Sequence, residues 1–82
     1  MKNKIIGIYI GTEVNETYKV QEILTNYGNI IKTRLGLNHL ENDETGLRGM
    51  IILELSGDEN QIQKFQDELL AIKSLKLGKM VF

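Results

Sequence analysis

Apolar residues crowd both alternating faces of the first run. Ile5, Ile6, Ile8, Tyr9 and Ile10 are β-branched or aromatic, the side chains that suit a pleated strand. Ile6, Ile8 and Ile10 share one face, and Ile5, Gly7 and Tyr9 the other. With both faces largely apolar, this strand is predicted to lie inside a sheet. A glycine within such a strand gives up packing and marks a place where another backbone comes close. Gly11-Thr12-Glu13-Val14-Asn15 ends the run, with Thr12 or Asn15 placed to cap a following helix. The period then lengthens. Val20, Ile23, Leu24 and Tyr27 recur at i, i+3, i+4 and i+7, one helix stripe. Gly28 follows, where a left-handed helix-ending residue is expected.

Alternation returns after Gly28. Ile31, Thr33, Leu35 and Leu37 are assigned to the helix-facing side of a second strand, and Ile30, Lys32, Arg34 and Gly36 to the other. Two cations on one face suit a sheet edge. Asn38 to Leu47 is polar and turn-rich and is expected to form a long hairpin loop. Met50-Ile51-Ile52-Leu53-Glu54-Leu55 is apolar on both faces except at Glu54, a second interior strand. Ser56-Gly57 ends it, and Asp58 with Gln61 three residues on resembles a capping box. Ile62, Phe65, Leu69 and Ile72 form a second helix stripe, broken at Lys73-Ser74. Leu75, Leu77 and Val81 alternate with Lys76, Gly78, Met80 and Phe82 in a closing strand, with Lys79 out of pattern.

The order is β-α-β-β-α-β, and right-handed crossovers fold two such halves into one sheet. The predicted class is α+β and ferredoxin-like: a four-stranded antiparallel sheet with both helices on one face. The first and third strands are central in the order 4-1-3-2, as their two-sided apolarity requires. Residues 1–82 make one domain. The sheet face away from the helices is then expected to carry Ile5, Tyr9, Ile30, Met50, Ile52, Met80 and Phe82, mixed with Lys32, Arg34, Glu54 and Lys76. An apolar patch of this kind marks an interface. Ile5, Tyr9, Ile30, Arg34, Met50, Ile52, Glu54, Met80 and Phe82 are its candidate residues, with Arg34 and Glu54 within reach of an ion pair. The expected product is a homo-oligomer, a dimer or a tetramer. The plainer reading is a set of exposed strand formers beside a frayed C-terminus.

Composition narrows the partners. Ten basic and eleven acidic residues leave a net charge of −1, so no global field draws the chain to nucleic acid or to an anionic membrane. Cysteine is absent, which removes disulfides, thiolate metal sites and a cysteine nucleophile, and fits a reducing compartment. Met1-Lys2-Asn3-Lys4 sets two positive charges before an apolar run, but the run ends at Ile10 with no small-residue cleavage site after it. No stretch approaches the ~20 apolar residues of a membrane span. A cytoplasmic location is expected.

Candidate chemistry is sparse. RNA recognition on this topology needs aromatics on both central strands; Tyr9 is present, but the third strand offers Met50 and Ile52. A metal chaperone needs paired cysteines. An acylphosphatase needs an arginine in the loop after the first strand, where this chain has Glu13. His39 stands alone as a histidine; Glu41, Asp43 and Glu44 follow it, with no EF-hand spacing. An exposed loop histidine is the expected reading, against a metal ligand or general base. Gly11-Thr12, beside a helix N-terminus, offers backbone N–H groups to a small anion, against a plain strand-to-helix turn. No catalytic residue, metal or cofactor is expected, and the protein is read as no enzyme.

One family resemblance spans nearly the whole chain outside the 38–47 loop. Tyr27-Gly28-Asn29-Ile30-Ile31-Lys32-Thr33-Arg34-Leu35-Gly36-Leu37 resembles the helix end and second strand of the iron-only hydrogenase system regulators. Met50 through Gly57, Ile62, Phe65, Leu69 and Leu75-Lys76-Leu77 carry the likeness onward. These regulators are stand-alone ACT-like domains, related in fold to the C-terminal domain of nickel-responsive regulators. The resemblance implies a small oligomeric regulatory domain, acting through a small-molecule effector or a protein partner. It implies no catalytic site and no direct contact with nucleic acid. Amino-acid-binding ACT domains hold their ligand in a glycine-containing loop after the first strand, which points to Gly11, Thr12, Glu13 and Asn15. Nickel sensors use several histidines and a cysteine, which this chain lacks. A ligand-free assembly domain is the alternative.

Overall fold

The structure is a computed structural model that describes residues 4–11, 14–38 and 47–81. Strand β1 runs Lys4–Gly11, helix α1 Val14–Asn26, strand β2 Ile31–Asn38, strand β3 Leu47–Leu55, helix α2 Glu59–Leu70 and strand β4 Lys76–Val81. All pairings are antiparallel, and the sheet order is β2-β3-β1-β4. The apolar β1 and β3 are central, and the more charged β2 and β4 form the edges. β3 begins three residues before the Met50 start read from the pattern.

Both helix stripes meet the inward sheet residues in one core. Ile6, Ile8, Ile51, Leu53 and Leu55 pack with Val20, Leu24, Ile62, Phe65 and Leu69, all buried. Asp58 caps α2, its side chain accepting from the Asn60 N–H at 3.0 Å. Such a cap contributes about 1 kcal/mol. Gln61 does not complete the box. Its amide instead exchanges two hydrogen bonds with the Asn29 side chain. Asn15 lies within the first turn of α1 rather than at its cap. Thr12, the other cap candidate, lies outside the described residues.

Gly28 is not the left-handed stop. Among the described glycines only Gly57 has positive φ, +124°. Gly28–Ile30 instead forms a single 3-10 turn between α1 and β2. The turn drives Ile30 into the core at 1% exposure, and its carbonyl accepts the Ser56 N–H at 2.8 Å. Lys79, out of pattern in the closing strand, pairs with inward-facing Ile6 and donates to the buried Gln66 amide oxygen at 3.5 Å.

A bulge between Ile31 and Thr33 decides the faces of β2. Ile31 pairs with Leu55, but Thr33 pairs with Glu54, so Lys32 is an extra residue in the ladder. One extra residue reverses the side of everything after it. Thr33 and Leu35 therefore sit opposite outward-facing Glu54 and Ile52, and Arg34 opposite the core residue Leu53. This corrects the assignment of Thr33 and Leu35 to the helix side and of Arg34 to the open side. Ile31 keeps its helix-side place, packed against the core.

Candidate functional site

Strand alternation and register lay the open face out in rows. The first holds Thr33, Glu54, Ile5 and Met80, in order across β2, β3, β1 and β4. The middle row holds Leu35, Ile52, Gly7 and Gly78. The third holds Met50, Tyr9 and Lys76 across β3, β1 and β4. Gly7 and Gly78 are adjacent and have no side chains, so a trough opens over β1 and β4. It has a volume of about 460 Å³ and is walled by Ile5, Met80, Tyr9, Lys76, Met50 and Ile52. The walls are almost wholly apolar. Met80 and Leu35 are each more than half exposed, at 53% and 52%.

Two charges of opposite sign flank the trough. Exposed Lys76 closes the trough at the Tyr9 end. Glu54 lies beyond Ile5 at the opposite end, accepting from the Thr33 hydroxyl at 2.9 Å.

The structure thus brings together Ile5, Tyr9, Met50, Ile52, Glu54 and Met80 of the expected interface set. It separates two others from them. Ile30 is a core residue, because the 3-10 turn rolls it inward before the strand begins. Arg34 points to the helix side and donates to Gln21 Oε1 at 2.8 Å, so the anticipated Arg34–Glu54 pair is not made. Arg34 lines a smaller recess of about 300 Å³ between α1 and the sheet, with Thr17, Gln21 and Gly36. Phe82 lies outside the described residues. The pattern alone passed over Gly78, Leu35 and Thr33. A signal for the trough was present in Gly7, whose missing side chain marks a close approach.

At the end of β1, Gly11 packs against the segment that precedes β4. Gly11 is buried, and a Cβ there would stand 2.6 Å from Ser74 Oγ and 3.0 Å from Ser74 Cβ. The Ser74 hydroxyl in turn donates to the Glu16 carboxylate in the first turn of α1. Packing therefore accounts for Gly11, and a carboxylate already occupies the helix start where an anion would gain most. Asn15 is exposed nearby. Thr12 and Glu13 lie outside the described residues, as do His39, Glu41, Asp43 and Glu44. Among the described residues no group of three or more His, Asp or Glu side chains is placed to hold a metal ion. No described helix is long and apolar enough to cross a membrane.

Four antiparallel strands in this order, with two helices on one face, define a ferredoxin-like α+β domain. Solved structures agree on the fold. The uncharacterized protein TM1266 from Thermotoga maritima superposes with a TM-score of 0.85 at 20% identity, over 100% of this chain and 99% of that one. A dimeric ferredoxin-like protein of unknown function from Thermobifida fusca gives 0.51 at 12% identity, over 100% and 92% of the two chains. CPII, a nitrogen regulatory PII-like protein from Thiomonas intermedia bound to ADP, AMP and bicarbonate, gives 0.60 at 13% identity, over 100% and 91%. No protein-family model matches the sequence, and no curated protein is significantly similar to it.

Proposed function

We propose that this protein is a small regulatory domain that works as a homo-oligomer, assembled through the open face of its sheet. The observation that carries the reading is the apolar trough over β1 and β4. A sheet face with Ile5, Ile52, Met50 and Met80 turned to water gains from being covered, at about 25 cal/mol for each Å² of apolar surface removed from solvent. The dimeric Thermobifida protein shares the fold and supports assembly. The PII-like protein supports a regulatory use of such a domain, since its structure holds nucleotides and bicarbonate. The residue-level resemblance of Tyr27 to Leu37 and Met50 to Gly57 makes control of an iron-only hydrogenase system the particular role, exerted through an effector or a protein partner in the cytoplasm. An apolar recess with its charges at the margins supports a binding role in preference to an enzymatic one.

The test is multi-angle light scattering across a concentration series, with Ile52→Glu as the comparison. The native chain is expected to be oligomeric and the variant monomeric with an unchanged circular dichroism spectrum. A native chain that stays monomeric at every concentration would remove the assembly. A thermal-shift screen of amino acids, nucleotides and metal ions separates an effector-binding regulator from the ligand-free assembly domain.

A further inference from the structure

We infer that the trough is covered by a second copy of this chain, docked about a twofold axis over Gly7 that sets Lys76 of each subunit against Glu54 of the other. The inference rests on the reading of the open face as an assembly surface and fixes the contact within it. Gly7 is the midpoint between the two charges. Glu54 lies one strand away on β3, opposite Ile5, and Lys76 lies one strand away on β4, opposite Tyr9. Ile5 and Tyr9 stand two residues either side of Gly7 on β1. From strand rise and spacing, Glu54 and Lys76 are about 17 Å apart on a diagonal centred on Gly7.

Two sheets that meet face to face about a twofold have the axis in the plane of contact. Each residue then meets the partner residue reflected across that axis. An axis at right angles to the diagonal exchanges its two ends. The acid of each subunit falls on the base of the other, twice per dimer. The strands of the two sheets then cross at about 70°, near the orthogonal mode of sheet packing. Gly7 lies on the axis with Gly78 beside it, and the only side chain close above Gly7 is that of Met50, whose methyl stands 3.3 Å from where a Gly7 Cβ would be. Met50 and Met80 lie to either side of Gly7 along the other diagonal, near the axis. Their flexible thioethers suit a seam in which each meets its own copy.

Charge also selects the occupant. One cation and one anion at opposite corners make the trough self-complementary under this rotation. An anionic membrane or a nucleic acid would be met by a carboxylate at one end of the same surface.

The experiment is rescue in trans. Glu54→Lys and Lys76→Glu are prepared separately, with a mass tag on one, and self-association is measured by analytical ultracentrifugation. Each reversal alone sets like charges together at both contacts and is expected to weaken the homodimer about tenfold or more. An equimolar mixture recreates both opposite pairs between chains. It is expected to recover near-native association as a one-to-one heterodimer by native mass spectrometry. A mixture no tighter than either variant, while the native chain assembles and Ile52→Glu does not, overturns the pairing and leaves the assembly surface standing. A native chain that never assembles overturns both. If circular dichroism shows either reversal unfolded, Glu54→Gln and Lys76→Gln replace them in a double-mutant cycle. Coupled effects support the contact, and additive effects reject it.

Discussion

Tyr27 closes the core where α1 ends. Its ring lies 5.2 Å from that of Phe65 at a tilt of 52°, a geometry that contributes about 0.5–1.5 kcal/mol beyond area. Its hydroxyl donates to the Glu68 carboxylate on α2, tying the two helices together. That hydrogen bond, then desolvation, then the negative charge of Glu68 raise the phenol above its ordinary value of 10.0. The folded state therefore holds this proton more tightly than the unfolded chain does. The contribution is fully present below about pH 10 and is lost as pH rises through the raised folded value. Urea unfolding of the native chain and of Tyr27→Phe, followed from pH 8 to 11, is expected to show the stability difference shrinking above pH 10 in the native chain's disfavour. A difference that stays constant across that window would show that the hydroxyl carries no proton linkage.

Ile30 and Leu35, five residues apart, show what the turn and the bulge do to an element. Regular alternation gives Ile30 to the open face and Leu35 to the core. The structure reverses both, with Ile30 1% and Leu35 52% exposed. Ile30→Ala is accordingly expected to cost about 2–5 kcal/mol, as a cavity in a packed core does. Leu35→Ala is expected to cost no more than about 0.5 kcal/mol. Urea midpoints in the opposite order would return β2 to the simple alternation. The order of elements, the central place of β1 and β3, both helix stripes and the Asp58 cap are legible in the chain because each repeats a period or a spacing. The bulge is not. Ile31, Thr33, Leu35 and Leu37 alternate without a break, and the extra residue at Lys32 exists only in the pairing with β3. The trough was half legible. Gly7 announced it, but Gly78 gains meaning only when the β1–β4 register sets the two glycines side by side. The misplacement of Arg34 has the same origin as that of Leu35.

A chain of 82 residues buries only about 60–65% of its unfolded surface, so the free subunit has modest stability, to which the proposed assembly would add. Folding coupled to association makes the melting temperature depend on concentration. The native chain is expected to melt higher as concentration rises in calorimetry, and Ile52→Glu to melt at one temperature throughout. A native melting point independent of concentration would separate stability from assembly. The bulge bears on the whole molecule too. β2 is an edge strand, and an edge normally offers an unbroken row of N–H and C=O groups to any strand that drifts alongside. With Lys32 pushed out of step, that row is dephased near its start, and an incoming strand can match one part of it only by missing the other. The same single residue that turned Leu35 outward thus guards the β2 flank, one of the sheet's two edges, against runaway sheet growth.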